Sequence, residues 1–224
     1  MALVMYDLDG TLVETAEELA YAVNMTLNQH NHQEVAVSQV KAWIGHGTEW
    51  LMKQAWPDKT VTATPWVWNV IMEEFNYHYG EVVGTKSKLY QHVLETLTAI
   101  KKLGIKQAVI TNKEQPFANR VLEGSGIESF FDLVVSGNTL SVKKPDAEVI
   151  HHCLGILSEK AETSLFVGDS AIDIATAKNA KITCWAVPYG YNGGKDIRLS
   201  NPDKLIDNLS SVPSFFNAFN QVLT

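Results

Sequence analysis

Five short, largely apolar runs, at residues 2–6, 106–110, 132–135, 164–167 and 182–187, alternate along this chain with helix-like stretches. An apolar run without polar alternation suits a strand covered on both faces, as inside a parallel sheet. The stretches between the later runs, at 90–102, 115–123, 147–157 and 172–177, have helical patterns long enough to serve as crossovers. The predicted class is therefore α/β: a Rossmann-like open parallel sheet flanked by helices.

Residues 14–84 break this rhythm. Helical patterns occupy 16–28, 48–55 and 66–78, Ser38 is read as the N-cap of a short helix over 40–44, and Pro57 and Pro65 mark breaks. No buried strand is expected there. The organisation predicted is a core of residues 1–13 and 85–224 with an all-helical insert of residues 14–84. The insert holds Trp43, Trp50, Trp56, Trp66 and Trp68, five of the six tryptophans. They are read as its small core and its contacts with the sheet, with one or two as possible linings of a substrate cavity. The tail, 202–223, carries Leu205, Ile206, Leu209, Val212, Phe215, Phe216 and Phe219, a spacing that predicts one or two closing helices.

Open parallel sheets bind ligands outside the carboxyl ends of their strands. Polar residues stand at that place after four runs: Asp7 and Asp9, Thr111 and Asn112, Lys143 and Lys144, and Asp169 with Asp173. On an extended backbone Asp7 and Asp9 point to one side, and paired carboxylates repel unless a cation or a shared proton lies between them. An oxygen-only set of carboxylates suits Mg²⁺. The same residues also make Asx-turns and helix caps. A lysine in the 143–144 pair supplies positive charge, held near the rim by Pro145, which is read as fitting the first turn of a helix, and spacing does not separate the two. Thr111 and Asn112 add hydroxyl, amide and backbone N–H donors suited to phosphoryl oxygens. Whether water or an aspartate attacks is open at this level.

Asp7-Leu8-Asp9-Gly10-Thr11, Thr111-Asn112, Lys144-Pro145 and Gly168-Asp169-Ser170 with Asp173 together resemble the motif set of the haloacid dehalogenase superfamily. Their order is that of its phosphatase branch, and the likeness spans nearly the whole chain. The helical insert resembles that family's cap. The Asp9–Thr15 segment, Ala22-Val23-Asn24, the Gly45-His46-Gly47 turn and Tyr189-Gly190-Tyr191 look most like phosphoglycolate phosphatases. Asn138, where that branch usually carries aspartate, and Ala147, in place of a usual proline, depart from its pattern.

The resemblance implies Asp7 as nucleophile, Asp9 as general acid and base, and Thr111 and Lys144 as the groups stabilising the phosphoryl group. It implies Mg²⁺ held by Asp7, the Asp9 carbonyl and Asp169, with Asp173 in or just outside that set. Gly10, Thr11 and Asn112 are the expected phosphate contacts, and Gly45, His46 and Gly47 the expected substrate contacts from the cap. The substrate implied is a small phosphate ester, 2-phosphoglycolate first. Sugar phosphates, nucleotides or pyrophosphate are the alternatives, followed by a phosphomutase or a non-catalytic phosphate- or metal-binding module. Phosphonate cleavage would need a cap lysine in the site, and nothing brings Lys41 or Lys53 there.

Composition narrows the partners. Eighteen basic against 25 acidic residues give a net charge of −7, without the clustered Lys and Arg that a nucleic-acid backbone requires. No apolar run reaches the ~18–20 residues of a membrane span. The first residues lack the basic flank of a signal peptide. Cys153 and Cys184 make no disulfide framework. A cytoplasmic protein, monomer or homodimer, is the expectation.

Overall fold

Strand β1 (Leu3–Tyr6) runs through the middle of a six-stranded, all-parallel sheet. The computed structural model describes residues 2–220, and their side chains except those of 63 and 217–220. After β1 come β2 (Val13–Glu14), α1 (Ala16–Gln29), α2 (Val37–Lys41), α3 (Thr48–Ala55), α4 (Pro65–Val82) and β3 (Lys88–Leu89). There follow α5 (Val93–Lys102), β4 (Lys106–Ile110), α6 (Gln115–Gly124), β5 (Leu133–Val135), α7 (Glu148–Leu157) and β6 (Ser164–Gly168). The chain closes with α8 (Ala171–Ala180), β7 (Thr183–Ala186), β8 (Lys204–Leu205) and α9 (Pro213–Asn220).

The sheet order is β5-β4-β1-β6-β7-β8. Side chains alternate across β1: Val4 and Tyr6 pack into the core beneath α5, α6 and α9, whereas Leu3 and Met5 pack into that beneath α7 and α8. Both faces are covered, so the apolar runs carry no alternation. The register pairs Tyr6 with Val109 of β4 and Val167 of β6, bringing Asp7 level with the ends of both neighbours.

Helices α1–α4 are inserted between β2 and β3, consistent with a cap. On α4, Trp68, Ile71, Phe75 and Tyr79 recur every three or four residues and are buried, with Leu19, Val23 and Leu27 of α1 in the same core. The two crossings between core and insert pair as the short antiparallel ribbon β2–β3. Buried Glu18 ties the second crossing by accepting from the Gly84, Lys86 and Ser87 backbone N–H groups and the Ser87 hydroxyl.

Four local expectations need correction. Ser38 lies inside α2, which starts one residue after Ala36, because the Gln39 side chain accepts from the Ala36 N–H and closes the helix start there. Pro145 does not open a helix: it follows a cis peptide bond in a turn, and α7 begins at Glu148. Trp66 is 74% exposed, while Trp56 and Trp68 are core and Trp43 and Trp50 half-buried. The tail adds a sixth strand, β8, before its helix, held by Asp203 to both backbone groups of Cys184. Leu205, read as part of a closing helix, lies in this strand, and both strand residues are exposed. Residues 221–224, and the Phe219 side chain, fall outside the described part of the tail.

Candidate active site

The polar strand ends converge where β1 lies between β4 and β6. Asp7 continues β1, its N–H donating to the Val167 carbonyl at 2.9 Å. Lys144 arrives from the loop after β5 and is buried, with Nζ 2.7 Å from Asp7 Oδ1 and 2.7 Å from Asp173 Oδ1. Lys143 is exposed. The pair that spacing left undecided is thus separated by burial and charge pairing.

Asp173 stands in the first turn of α8 and uses both carboxylate oxygens. Oδ1 takes Lys144, while Oδ2 accepts from the Asp169 N–H and from the Ser170 N–H and hydroxyl. Ser170 accepts from the Asp173 N–H in return, a reciprocal cap that fixes the turn carrying Asp169. Asp169 accepts from the Thr11 hydroxyl at 2.6 Å and the Tyr191 N–H. Gly10 has φ +94°, and a Cβ there would lie 2.3 Å from Asp169 Oδ2, so the position admits glycine alone. Of the expected phosphate contacts, Thr11 thus gives its hydroxyl to Asp169 and Gly10 leaves room for that carboxylate.

Asp7, Asp169 and Asp173 each bring a carboxylate oxygen within 4.8 Å of the others, with Lys144 as their nearest cation. Burial raises the Asp7 carboxyl to about 7, Lys144 opposing and Asp173 and Asp9 adding to the rise. Burial, then Asp173 and Asp7, raises Asp169 as well. On Lys144 burial works downward, but the carboxylates of Asp173 and Asp7 outweigh it and hold the ammonium charged. Three crowded carboxylates with one ammonium leave excess negative charge on oxygen donors, which fits a divalent cation such as Mg²⁺.

A pH signature follows. A carboxyl raised in the folded state contributes stability that is complete below its unfolded value of 3.8 and lost as pH climbs through about 7. Metal-free protein should lose thermal stability over that window. Added Mg²⁺ should raise Tm more at pH 8 than at pH 5, where protons compete for the same oxygens. Calorimetry with and without chelator checks this; equal shifts at both pH values would contradict it.

Asp9 belongs to a different set of contacts. Its Oδ1 accepts from the Thr15 hydroxyl at 2.6 Å and pairs with Lys113 Nζ at 3.0 Å. Lys113 also donates to the Tyr79 hydroxyl of α4 at 2.6 Å. Burial works against its charge, but Asp9 and Tyr79 outweigh it and raise its pKa. Because the Thr15 hydroxyl serves Asp9, the N–H groups of Thr15 and Ala16 are taken by the Tyr191 hydroxyl, which itself donates to Glu14.

The Asn112 side chain is fully engaged: its amide donates to the Gly45 and Lys144 carbonyls, and its oxygen accepts from the Lys144 N–H. It fixes Lys144 and links core to insert. Asp7, Asp9, Thr111, Asn112 and Lys113 from the core, with Ile44, Gly45, Gly47, Thr48 and Leu51 from the insert, line a chamber of about 30 Å³. The insert does roof the carboxylates, but His46 is not among the lining residues. Its ring is exposed, stacks on Trp50 at 4.4 Å, and borders a separate groove beside Ser170 and Ile172. Asn138 accepts from the Gln115 N–H at the start of α6, a local role.

Lys113, Tyr79, Glu18 and the Tyr191 hydroxyl escaped the sequence reading. Lys113 directly follows Thr111-Asn112 and was within reach of it. Tyr79 and Glu18 look like ordinary helix residues until the insert folds over the sheet.

Residues 4–187 match the family described as haloacid dehalogenase-like hydrolase. The chain is similar to the phosphoglycolate phosphatase of Pectobacterium atrosepticum, 36% identical over 92% of this chain and 88% of that one. It is 35% identical to the phosphoglycolate phosphatase of Colwellia psychrerythraea over 93% and 94%. A solved structure from Haemophilus somnus, described as a predicted phosphoglycolate phosphatase, superposes with TM-score 0.89 at 32% identity, over 96% of this chain and 97% of that one.

Proposed function

Since the chain belongs to the haloacid dehalogenase-like hydrolase family, we propose that it is a Mg²⁺-dependent phosphomonoester hydrolase with an aspartyl-phosphate intermediate, acting on 2-phosphoglycolate. One observation carries the chemistry. Two carboxylates line one chamber, and each is held by its own lysine: Asp7 by Lys144 and Asp9 by Lys113. Such a division suits two different tasks.

The Asp7 carboxylate attacks phosphorus in line. The bond to the alcohol oxygen breaks as the Asp9 carboxyl gives that oxygen its proton, leaving the phosphoryl group on Asp7. Water then gives a proton to the Asp9 carboxylate and attacks phosphorus, releasing inorganic phosphate and restoring both aspartates. Lys144 offsets charge on the transferring group, and Thr111 contacts a phosphoryl oxygen. Asp7, Asp169 and the Asp9 carbonyl would hold the cation, which supplies charge that lets an anionic nucleophile meet an anionic ester. Asp173, both oxygens already engaged, keeps Lys144 and the Asp169 turn in place.

The preference for a short acid rests on the named relatives, and the helices of 14–84, which we take as the cap, cover the carboxylates. Phosphate release from a panel of esters with Mg²⁺ tests it: 2-phosphoglycolate should lead sugar phosphates and nucleotides. Equal rates across the panel would sink the substrate assignment. Metal binding without release from any ester would sink the hydrolase reading.

A further inference from the structure

We propose that Lys113, held by Tyr79 from the insert, selects substrates whose leaving group carries an anion. This rests on the hydrolase reading above, because it uses Asp9 as the proton donor to the leaving oxygen. On that reading the alcohol fragment departs on the Asp9 side of phosphorus. Lys113 Nζ is 3.0 Å from Asp9 Oδ1, so it stands beside that fragment. Among the described residues that line the chamber, Lys113 is the one cationic side chain; Lys144 is paired with Asp7 and Asp173. The insert's share of the lining is Ile44, two glycines, Thr48 and Leu51, none of them charged.

An ammonium has three N–H donors. Asp9 and the Tyr79 hydroxyl take two, leaving one for a ligand. Tyr79 is completely buried, packed against Phe75 and Phe117, and gives the lysine a fixed direction. An anion placed one carbon from the ester oxygen, as in a short carboxylic acid, would receive the third donor while the oxygen stays beside Asp9. The second phosphate of pyrophosphate offers the same chemistry. A neutral fragment of equal size leaves that donor unpaired in a buried chamber, which penalises it. Tyr79 is then a positioning residue that acts through Lys113.

The test compares kcat/KM for 2-phosphoglycolate, pyrophosphate and ethyl phosphate in the wild type, Lys113→Gln and Tyr79→Phe, all with Mg²⁺. The wild type should favour an anionic substrate over ethyl phosphate. Lys113→Gln should reduce that ratio by about 10- to 100-fold, the scale of a charge-assisted hydrogen bond, and Tyr79→Phe by about fivefold, because the ammonium stays but loses its fixed direction. Damage to the fold lowers all three rates together, and damage to Asp9 falls hardest on ethyl phosphate, whose leaving oxygen most needs the proton, so neither lowers the ratio. An unchanged ratio in both variants would therefore overturn the proposal, as would a wild type indifferent to the anion. Pyrophosphate leading 2-phosphoglycolate, with the ratio lost in the variants, would uphold the lysine's role and reject the short-acid substrate.

Discussion

Asp7→Asn should abolish turnover and at the same time make the metal-free protein more stable. The loss is expected to reach at least about a thousandfold in kcat, the scale on which removal of a covalent nucleophile is felt. An amide cannot attack phosphorus as a carboxylate does, and no aspartyl-phosphate should be trapped with hydroxylamine after rapid quenching. The gain in stability has a separate cause. Asp7 is buried beside Asp169 and Asp173, and burial with that crowding lifts its carboxyl to about 7. Near neutrality the folded state must either bury this charge or take up a proton to remove it, a cost that the unfolded chain, with its solvated carboxylate, does not meet. Asparagine keeps the shape and removes the charge, for an expected gain of about 1–3 kcal/mol at pH 7 without metal. Lys144 keeps Asp173 as partner in the variant. Denaturant unfolding in chelator measures this, and a variant that is both active and less stable would contradict the nucleophile assignment and the charge argument together.

Lys144→Met is expected to fail on both counts. Its ammonium is buried between Asp7 and Asp173 at 2.7 Å from each. Removing one partner of a buried pair leaves uncompensated charge and costs about 3–5 kcal/mol. The deficit should shrink as pH falls and the stranded carboxylates take up protons, Asp7 at a higher pH than in the wild type because Lys144 no longer lowers its pKa. Activity should fall by about 10²–10³, the scale for loss of one group stabilising transition-state charge. Lys143→Ala is the control, because the neighbouring lysine is exposed and surface substitutions shift stability by only about 0.5 kcal/mol. If the two variants behaved alike, the separation of roles between the lysines would be wrong.

Much of this site is legible before folding because each piece is local. A strand end puts its next residues at the sheet's rim, so Asp7, Thr111 and Asp169 could be placed from apolar runs alone. The Ser170–Asp173 cap is also a short-range pattern, closed within one helical turn. What hid was long-range. Gly10 reads as a turn residue, yet its constraint is the Asp169 carboxylate, 159 positions away. Thr11 reads as a phosphate donor, yet its hydroxyl serves that same carboxylate. Strand β8 hid because it is two exposed residues whose place is set by Asp203 and the edge of β7.

The sequence by itself determined the α/β class, the inserted helices and the set of carboxylates at the rim, since periodicity and strand polarity are properties of neighbours along the chain. Tertiary structure decided the rest: Lys144 over Lys143, Asp9 paired with Lys113, Tyr79 reaching in from the insert, and His46 turned away. Those choices depend on which charges share one buried space, and burial is known only once the helices of the insert lie across the ends of the strands.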